Sequence, residues 1–223
     1  MKLKPKIIVA GYGSWQAAEL NPCAQIVQQL KSEVWGNCDL LALEFDVVSG
    51  TLEHRIEKLL LEERPHAWLG LGINSGPASS VVRAEKIGIN YLHFGVPDNN
   101  GAQPDMRPIV GSGPVAYAAD YPYEACVEEM KRQGIPAAIS LHAGAHMCNQ
   151  MIYLTRHLVE KHKLQTVSGF LHMPRSTDSV ARMKWPQDCH PTLGLEVPSL
   201  ALDMMIEATR IAINSACGGK TDG

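Results

Sequence analysis

An α/β fold in three layers, with a mainly parallel twisted sheet covered by helices on both faces, follows from two features of the sequence. Short apolar, β-branched runs recur between longer segments of helical periodicity, and that alternation persists nearly from end to end. A third feature bounds the architecture: 223 residues at 45% hydrophobic content can bury a sizeable core, within the range commonly held by one domain. The expected organisation is one α/β domain over 1–216, followed by a flexible glycine-rich tail, CGGKTDG, over 217–223.

The elements follow in order. KIIVAGYG reads as a buried strand running into glycines. NPCAQIVQQLKSEV then offers Asn21 as a helix N-cap, Pro22 at the first helical position, and Ile26, Val27, Leu30 and Val34 at helical spacing. LLALEFDVV is a second strand, and SGTLEHRIEKLLLEERP a helix whose Leu52, Ile56, Leu59 and Leu60 share a face and which Pro65 ends. HAWLGLGI is a third strand. The alternation resumes with a helix near Tyr123 to Arg132, the strand AAISLHA, a helix near His146 to Lys163, the strand VSGFLHM and a last helix from Ser199 to about Ser215. Two stretches, GVPDNNGAQPDMRPIVGSGP and MPRSTDSVARMKWPQDCHPTLGLEVP, are longer than ordinary connections and are expected to border a site.

Composition narrows the function. Net charge is −3, and no basic block is interleaved with aromatics, so neither nucleic acid nor an anionic membrane is expected as a partner. The six cysteines, at 23, 38, 126, 148, 189 and 217, are dispersed and form no CxxC pair, which fits a reducing compartment rather than a disulfide framework. The run IIVA behind the basic MKLKPK is too short for a signal-peptide core, and no later stretch approaches a membrane span. A soluble cytoplasmic protein is therefore expected.

In an open parallel sheet the working crevice lies at the carboxyl ends of the strands, and three reactive side chains fall near such ends or at helix starts. Cys148 follows AAISLHAGA where a helix begins, and unpaired N–H groups there favour thiolate over thiol. His172 closes VSGFLHM just before Pro174 and is placed to act as a general base. Glu85, in VVRAEKIGIN, is a candidate to accept the other imidazole N–H and hold the tautomer. Each has a plainer reading: a lone cysteine as small core residue, a histidine as a satisfied strand residue, a glutamate between Arg83 and Lys86 as a solvated charge. A zinc site from His142, His146 and Cys148 is a further alternative, disfavoured because Gly144 breaks helical geometry between the two histidines.

The same residues resemble the motifs of a known family, the pyrrolidone carboxyl peptidases, or pyroglutamyl peptidase I, which are cytosolic cysteine peptidases. AGAHMCNQMIY is similar to the family's nucleophile segment, AGT(Y/F)xCNxxxY, and aligns its cysteine with Cys148. SGFLHMP is similar to GF(I/L)HxP and aligns the histidine with His172. AEKIGIN is similar to ERxAxN and aligns the acidic residue with Glu85, while VPDNNGAQP resembles the PDNxGxxP stretch that follows. GYGSWQAAELNP is a fainter echo of GFxPFGxxxxNP, so that the resemblance spans about residues 7 to 176. It implies removal of an N-terminal 5-oxoproline from a blocked peptide by a Cys148, His172 and Glu85 triad, without metal or cofactor. It also implies a homo-oligomer, the family's habit being a tetramer.

The departures cluster at substrate recognition. The family's two N-terminal phenylalanines correspond to Tyr12 and Trp15, which are expected to wall the substrate pocket. The family's GxAxGR stretch is here GINSGPASS, without the arginine, and the arginine of DARIPDN falls on Gly95. These changes leave two other readings: a related cysteine amidohydrolase with another small acyl substrate, or a non-catalytic binding protein on the same fold.

Overall fold

The structure, a computed structural model, describes residues 4–15, 21–74, 79–183 and 197–218. Its elements are β1 (Lys6–Tyr12), α1 (Pro22–Lys31), β2 (Asp39–Phe45), α2 (Ser49–Glu63), β3 (Ala67–Ile73), β4 (Val82–Glu85), β5 (Ile87–Ile89), β6 (Ala116–Ala118), α3 (Tyr123–Arg132), β7 (Ala137–Ser140), α4 (Met147–Lys161), β8 (Val167–Met173), α5 (Thr177–Ala181) and α6 (Leu202–Cys217). Six strands form one sheet in the order β2-β1-β3-β8-β4-β7, and β5 pairs with β6 in a separate ribbon. Neighbours in the large sheet are parallel except β4 and β8, which run antiparallel.

The period of two along each strand divides the core. Ile7 and Val9 of β1, Leu69 and Leu71 of β3, Leu171 of β8 and Val82 and Ala84 of β4 pack with α1, α3 and α6. Ile8, Ala10 and Tyr12 of β1, Trp68 of β3 and Phe170 of β8 pack with α2 and α4 on the other face. These are the two helical layers expected. Arg83 and Glu85 alternate with Val82 and Ala84 along β4, and His172 stands two residues after Phe170, so all three face the α4 side.

Local chemistry sets the element ends. Asn21 caps α1 by accepting from Cys23 N–H at 2.9 Å, and Pro22 opens the helix. The helix stops at Lys31, however, and Val34 is fully exposed rather than on its buried face: the Ser32 N–H and hydroxyl both turn back to Gln29 O. α2 ends with Arg64 in the left-handed region, φ 43°, where Pro65 prevents continuation. The last helix starts at Leu202 and runs through Cys217, into the stretch expected to be tail.

Three short strands, β4, β5 and β6, were not expected from the sequence, and α5 lies in the second long irregular stretch. Residues 184–196 of that stretch, with Cys189, fall outside the described residues. The first long stretch is built around Asp98. Its carboxylate accepts from Asn100 and Ala102 N–H groups, both at 2.9 Å, and from Ser49 N–H at 2.8 Å, which caps α2 from a distance. No helix among the described residues is long and apolar enough to cross a membrane.

Candidate active site

α4 brings Cys148 into the crevice. The helix opens at Met147 without a side-chain cap, so Cys148 lies in the first turn among amides that have no intrahelical acceptor. Asn149, fully buried, accepts from Ile89 N–H and donates to Ile89 O and Tyr91 O, each at 2.9 Å. Gln150 binds Ser49 through both its amide oxygen and nitrogen. The residues after the cysteine thus lock the helix end to β5 and α2. On the opposite side, the Tyr12 hydroxyl donates to Met147 O at 2.8 Å. Burial, and then the charge of Cys148, hold the Tyr12 phenol well above its usual pKa, so it remains a donor.

Space for the sulfur comes from β3. A Cβ added at Gly72 would lie 2.6 Å from Cys148 Sγ and 2.7 Å from the Phe170 ring. Only glycine leaves room for both.

β8 and β4 supply the other two groups. His172 Nδ1 lies 2.8 Å from Glu85 Oε1, and Glu85 is entirely buried. With a carboxylate as partner, Nδ1–H donates and the other ring nitrogen is left for the sulfur, which lines the same cavity. Burial alone would lower the His172 pKa. The negative charge and hydrogen bond of Cys148, followed by those of Glu85, outweigh it and raise the pKa above the ordinary imidazole value. The Tyr123 hydroxyl, 3.1 Å from Glu85 O and 3.3 Å from Phe170 O, accepts from Phe170 N–H at 2.6 Å and ties β4 to β8 at this point.

Around these groups lies a cavity of about 360 Å³, whose lining includes Tyr12, Trp15, Arg83, His146, Cys148 and His172. Tyr12 and Trp15 are both among its lining residues. The Tyr12 hydroxyl proton, however, is engaged with Met147 O. Trp15 donates through Nε1 to Pro97 O at 3.1 Å and packs obliquely on His146. His146 stacks on Phe94 at 3.9 Å between ring centres and bonds Val96 O through Nε2. Burial lowers its pKa despite that bond, so it acts as a neutral aromatic wall. His142 is used differently, its Nδ1 accepting from Gly144 N–H at 2.7 Å. Among the described residues no three His, Cys, Asp or Glu side chains converge to hold a metal ion.

From the sequence, Arg83, Gly72 and Tyr123 are assigned no place at the site, and His146 is considered only as a possible zinc ligand. A signal for Arg83 was present, because the alternation in VRAE puts it on the same strand face as Glu85.

A family model described as pyroglutamyl peptidase matches residues 5–218. The chain belongs to the pyroglutamyl peptidase family. Within it, the pyrrolidone-carboxylate peptidase of Cupriavidus taiwanensis is 32% identical over 219 residues, covering 98% of this chain and 95% of that protein. That of Brevibacillus brevis is 33% identical, over 91% of this chain and 92% of its own. Crystal structures of pyrrolidone carboxyl peptidase from Pyrococcus furiosus superpose with a TM-score of 0.85 at 28% identity, covering 95% of this chain and 97% of theirs. The Thermococcus litoralis enzyme superposes at 0.86 with 27% identity, over 95% and 93%. The single α/β domain with its mostly parallel six-stranded sheet is therefore the architecture of pyroglutamyl peptidases.

Proposed function

We propose that this member of the pyroglutamyl peptidase family removes N-terminal 5-oxoproline from peptides, with Cys148 as nucleophile, His172 as general base and acid, and Glu85 as the group that orients His172. One observation carries the reading: a buried Glu85 and His172 pair, 2.8 Å apart, abuts Cys148 at the start of α4 in a cavity walled by aromatic rings.

In this mechanism His172 takes the thiol proton, and the sulfur attacks the exocyclic carbonyl carbon of the pyroglutamyl residue. The tetrahedral oxyanion forms beside the first amides of α4, which have no intrahelical acceptor and are therefore available to donate to it. Collapse breaks the C–N bond, and His172 returns the proton to the leaving amine. Water then adds to the thioester, giving its proton to His172, and free 5-oxoproline leaves as the sulfur regains its proton. Glu85 holds the Nδ1–H tautomer and favours the imidazolium in both steps. The rings of Tyr12 and Trp15 are the proposed walls for the compact lactam. The reaction as drawn needs no cofactor.

The reading includes a cytoplasmic location, supported by free thiols at Cys23, Cys38, Cys126, Cys148 and Cys217. It also includes homo-oligomerisation, with the tetramer as the expected form. The exposed Ile139 and Leu141, at the end of edge strand β7, offer apolar surface for it.

The test is a panel of pyroglutamyl, prolyl and glutaminyl amides offered to the wild type and to folded Cys148→Ala and His172→Ala. The pyroglutamyl amide should be preferred, and each variant should lose on the order of 10³-fold or more in turnover. Preference for another acyl group would replace the substrate, and undiminished turnover in either variant would remove that residue from its role.

A further inference from the structure

Among the described residues that line the cavity, Arg83 is a cation that the mechanism does not use. Arg83 lies directly opposite His172 in the β4 and β8 register, and both side chains line the same cavity. Arg83 is half-buried, yet among the described residues its guanidinium pairs with no carboxylate and donates no hydrogen bond. Lys86, on the same segment, is engaged with Glu124 at 3.5 Å, which makes the contrast local. Among its described residues the cavity lining contains no Asp or Glu to neutralise the arginine. A guanidinium presented to a partly enclosed space without a carboxylate partner is suited to bind one through parallel N–H donors.

Strand order says which part of a substrate it would meet. Across the sheet the sequence is β1, β3, β8, β4. Tyr12 ends β1 and Trp15 follows it, whereas Arg83 is on β4, so the aromatic wall and the cation stand on opposite sides of His172. If the lactam ring packs on the aromatic side, the amine that receives its proton from His172 departs on the β4 side. Resting on the proposed pyroglutamyl peptidase reading, we infer that Arg83 is a specificity residue for the leaving group. It selects substrates that carry a carboxylate close behind the scissile bond. That carboxylate has two possible sources, the free C-terminus of a pyroglutamyl dipeptide or an acidic side chain on the residue after the bond.

Two matched pairs separate the sources. Pyroglutamyl-alanine is compared with pyroglutamyl-alanine amide, and pyroglutamyl-glutamate amide with pyroglutamyl-glutamine amide. Each pair differs in one negative charge, and kcat/KM is measured for all four with wild type, Arg83→Gln and Arg83→Lys. Wild type should favour the charged member of at least one pair on the order of tenfold, equivalent to about 1.4 kcal/mol. That ratio should shrink as salt is raised. Arg83→Gln should bring it to about unity, and Arg83→Lys should keep part of it, since charge survives without the planar fork. Because the reading is a ratio within one preparation, a general loss of activity cancels. Preference in the first pair alone assigns Arg83 to the terminal carboxylate, and in the second alone to the acidic side chain. Equal cleavage within both pairs by wild type, or a preference that survives in Arg83→Gln, overturns the inference and leaves pyroglutamyl hydrolysis standing. Cleavage of none of the four overturns both.

Discussion

β3 and β4 flank β8 on its two sides and contribute opposite things to the same site. β3 is seven residues long, parallel to β8 and almost wholly buried, and its gift is space: Gly72 makes room for Cys148 Sγ beside the Phe170 ring. β4 has four residues, runs antiparallel to β8, and supplies charge, with Glu85 on His172 and Arg83 in the cavity. The contrast teaches that a long parallel strand can be read from its apolar run, whereas the strand carrying the site's charged groups is short and easily taken for loop.

The sharpest break in that contrast is Glu85→Gln, which removes the charge and keeps the shape. If Glu85 orients His172 as proposed, kcat should fall on the order of 10²- to 10⁴-fold in protein that remains folded. The same variant has a signature in stability. His172 has a raised folded pKa, so the fold binds its proton more tightly than the unfolded chain, whose imidazole titrates near about 6.5. The resulting stabilisation is complete below the unfolded value and is lost as pH rises through the folded one. Denaturant midpoints measured at about pH 6 and about pH 9 should therefore differ less in Glu85→Gln than in wild type, other groups being common to both. An unaltered rate and an unaltered pH difference together would show that the pair is merely packed.

On the β3 side, Gly72→Ala tests space. The added methyl meets sulfur and ring at overlap distance, so a stability loss of about 1–3 kcal/mol is expected from overpacking. Displacement of the sulfur by a fraction of an ångström should lower kcat roughly 10- to 100-fold. Gly50→Ala provides the comparison: its Cβ meets nothing within 4 Å, and in a helix alanine is favoured by about 1 kcal/mol. Thermal melts and single-turnover rates of the two variants should move in opposite directions in stability and only for Gly72 in rate. A Gly72→Ala enzyme as fast as wild type would mean that the sulfur does not need that position.

The smallest effect is expected from Tyr12→Phe. It deletes the hydroxyl that holds Met147 O and leaves the ring in the cavity, so stability should drop by about 1 kcal/mol with little change in KM. A large rise in KM without loss of stability would put the hydroxyl on substrate instead.

Much of the architecture was legible because its strands are apolar runs and its helices keep one apolar face. β1, β2, β3, β7 and β8 all coincide with stretches readable as strands, and α1 to α4 and α6 with stretches readable as helices. The misreadings have local causes. Val34 keeps the spacing of the α1 face, but the Ser32 hydroxyl and N–H bond Gln29 O and end the helix before it. β4, β5 and β6 have four, three and three residues, too few for a period to register.

At the site, motif resemblance marked Cys148, His172, Glu85, Tyr12 and Trp15 as one group; four of them line one cavity, and Glu85 is buried behind it on His172 Nδ1. Asn149 and Asp98 were visible only as letters of those motifs, because their hydrogen bonds reach elements dozens of residues away.

By itself the amino-acid sequence determined the family, the layered α/β plan and the residue types available for thiol chemistry, since these depend on local periodicity and on motifs a few residues long. Tertiary structure alone decided that β4 runs against β8, so that Arg83 meets His172 and Glu85 lies two residues further in. It also decided that the Tyr12 hydroxyl serves the backbone and that His146 becomes an aromatic wall. The physical reason is that strand direction, register and the partner of a polar atom are properties of pairs of segments distant in sequence. Only packing the two layers against the sheet settles which pairs meet.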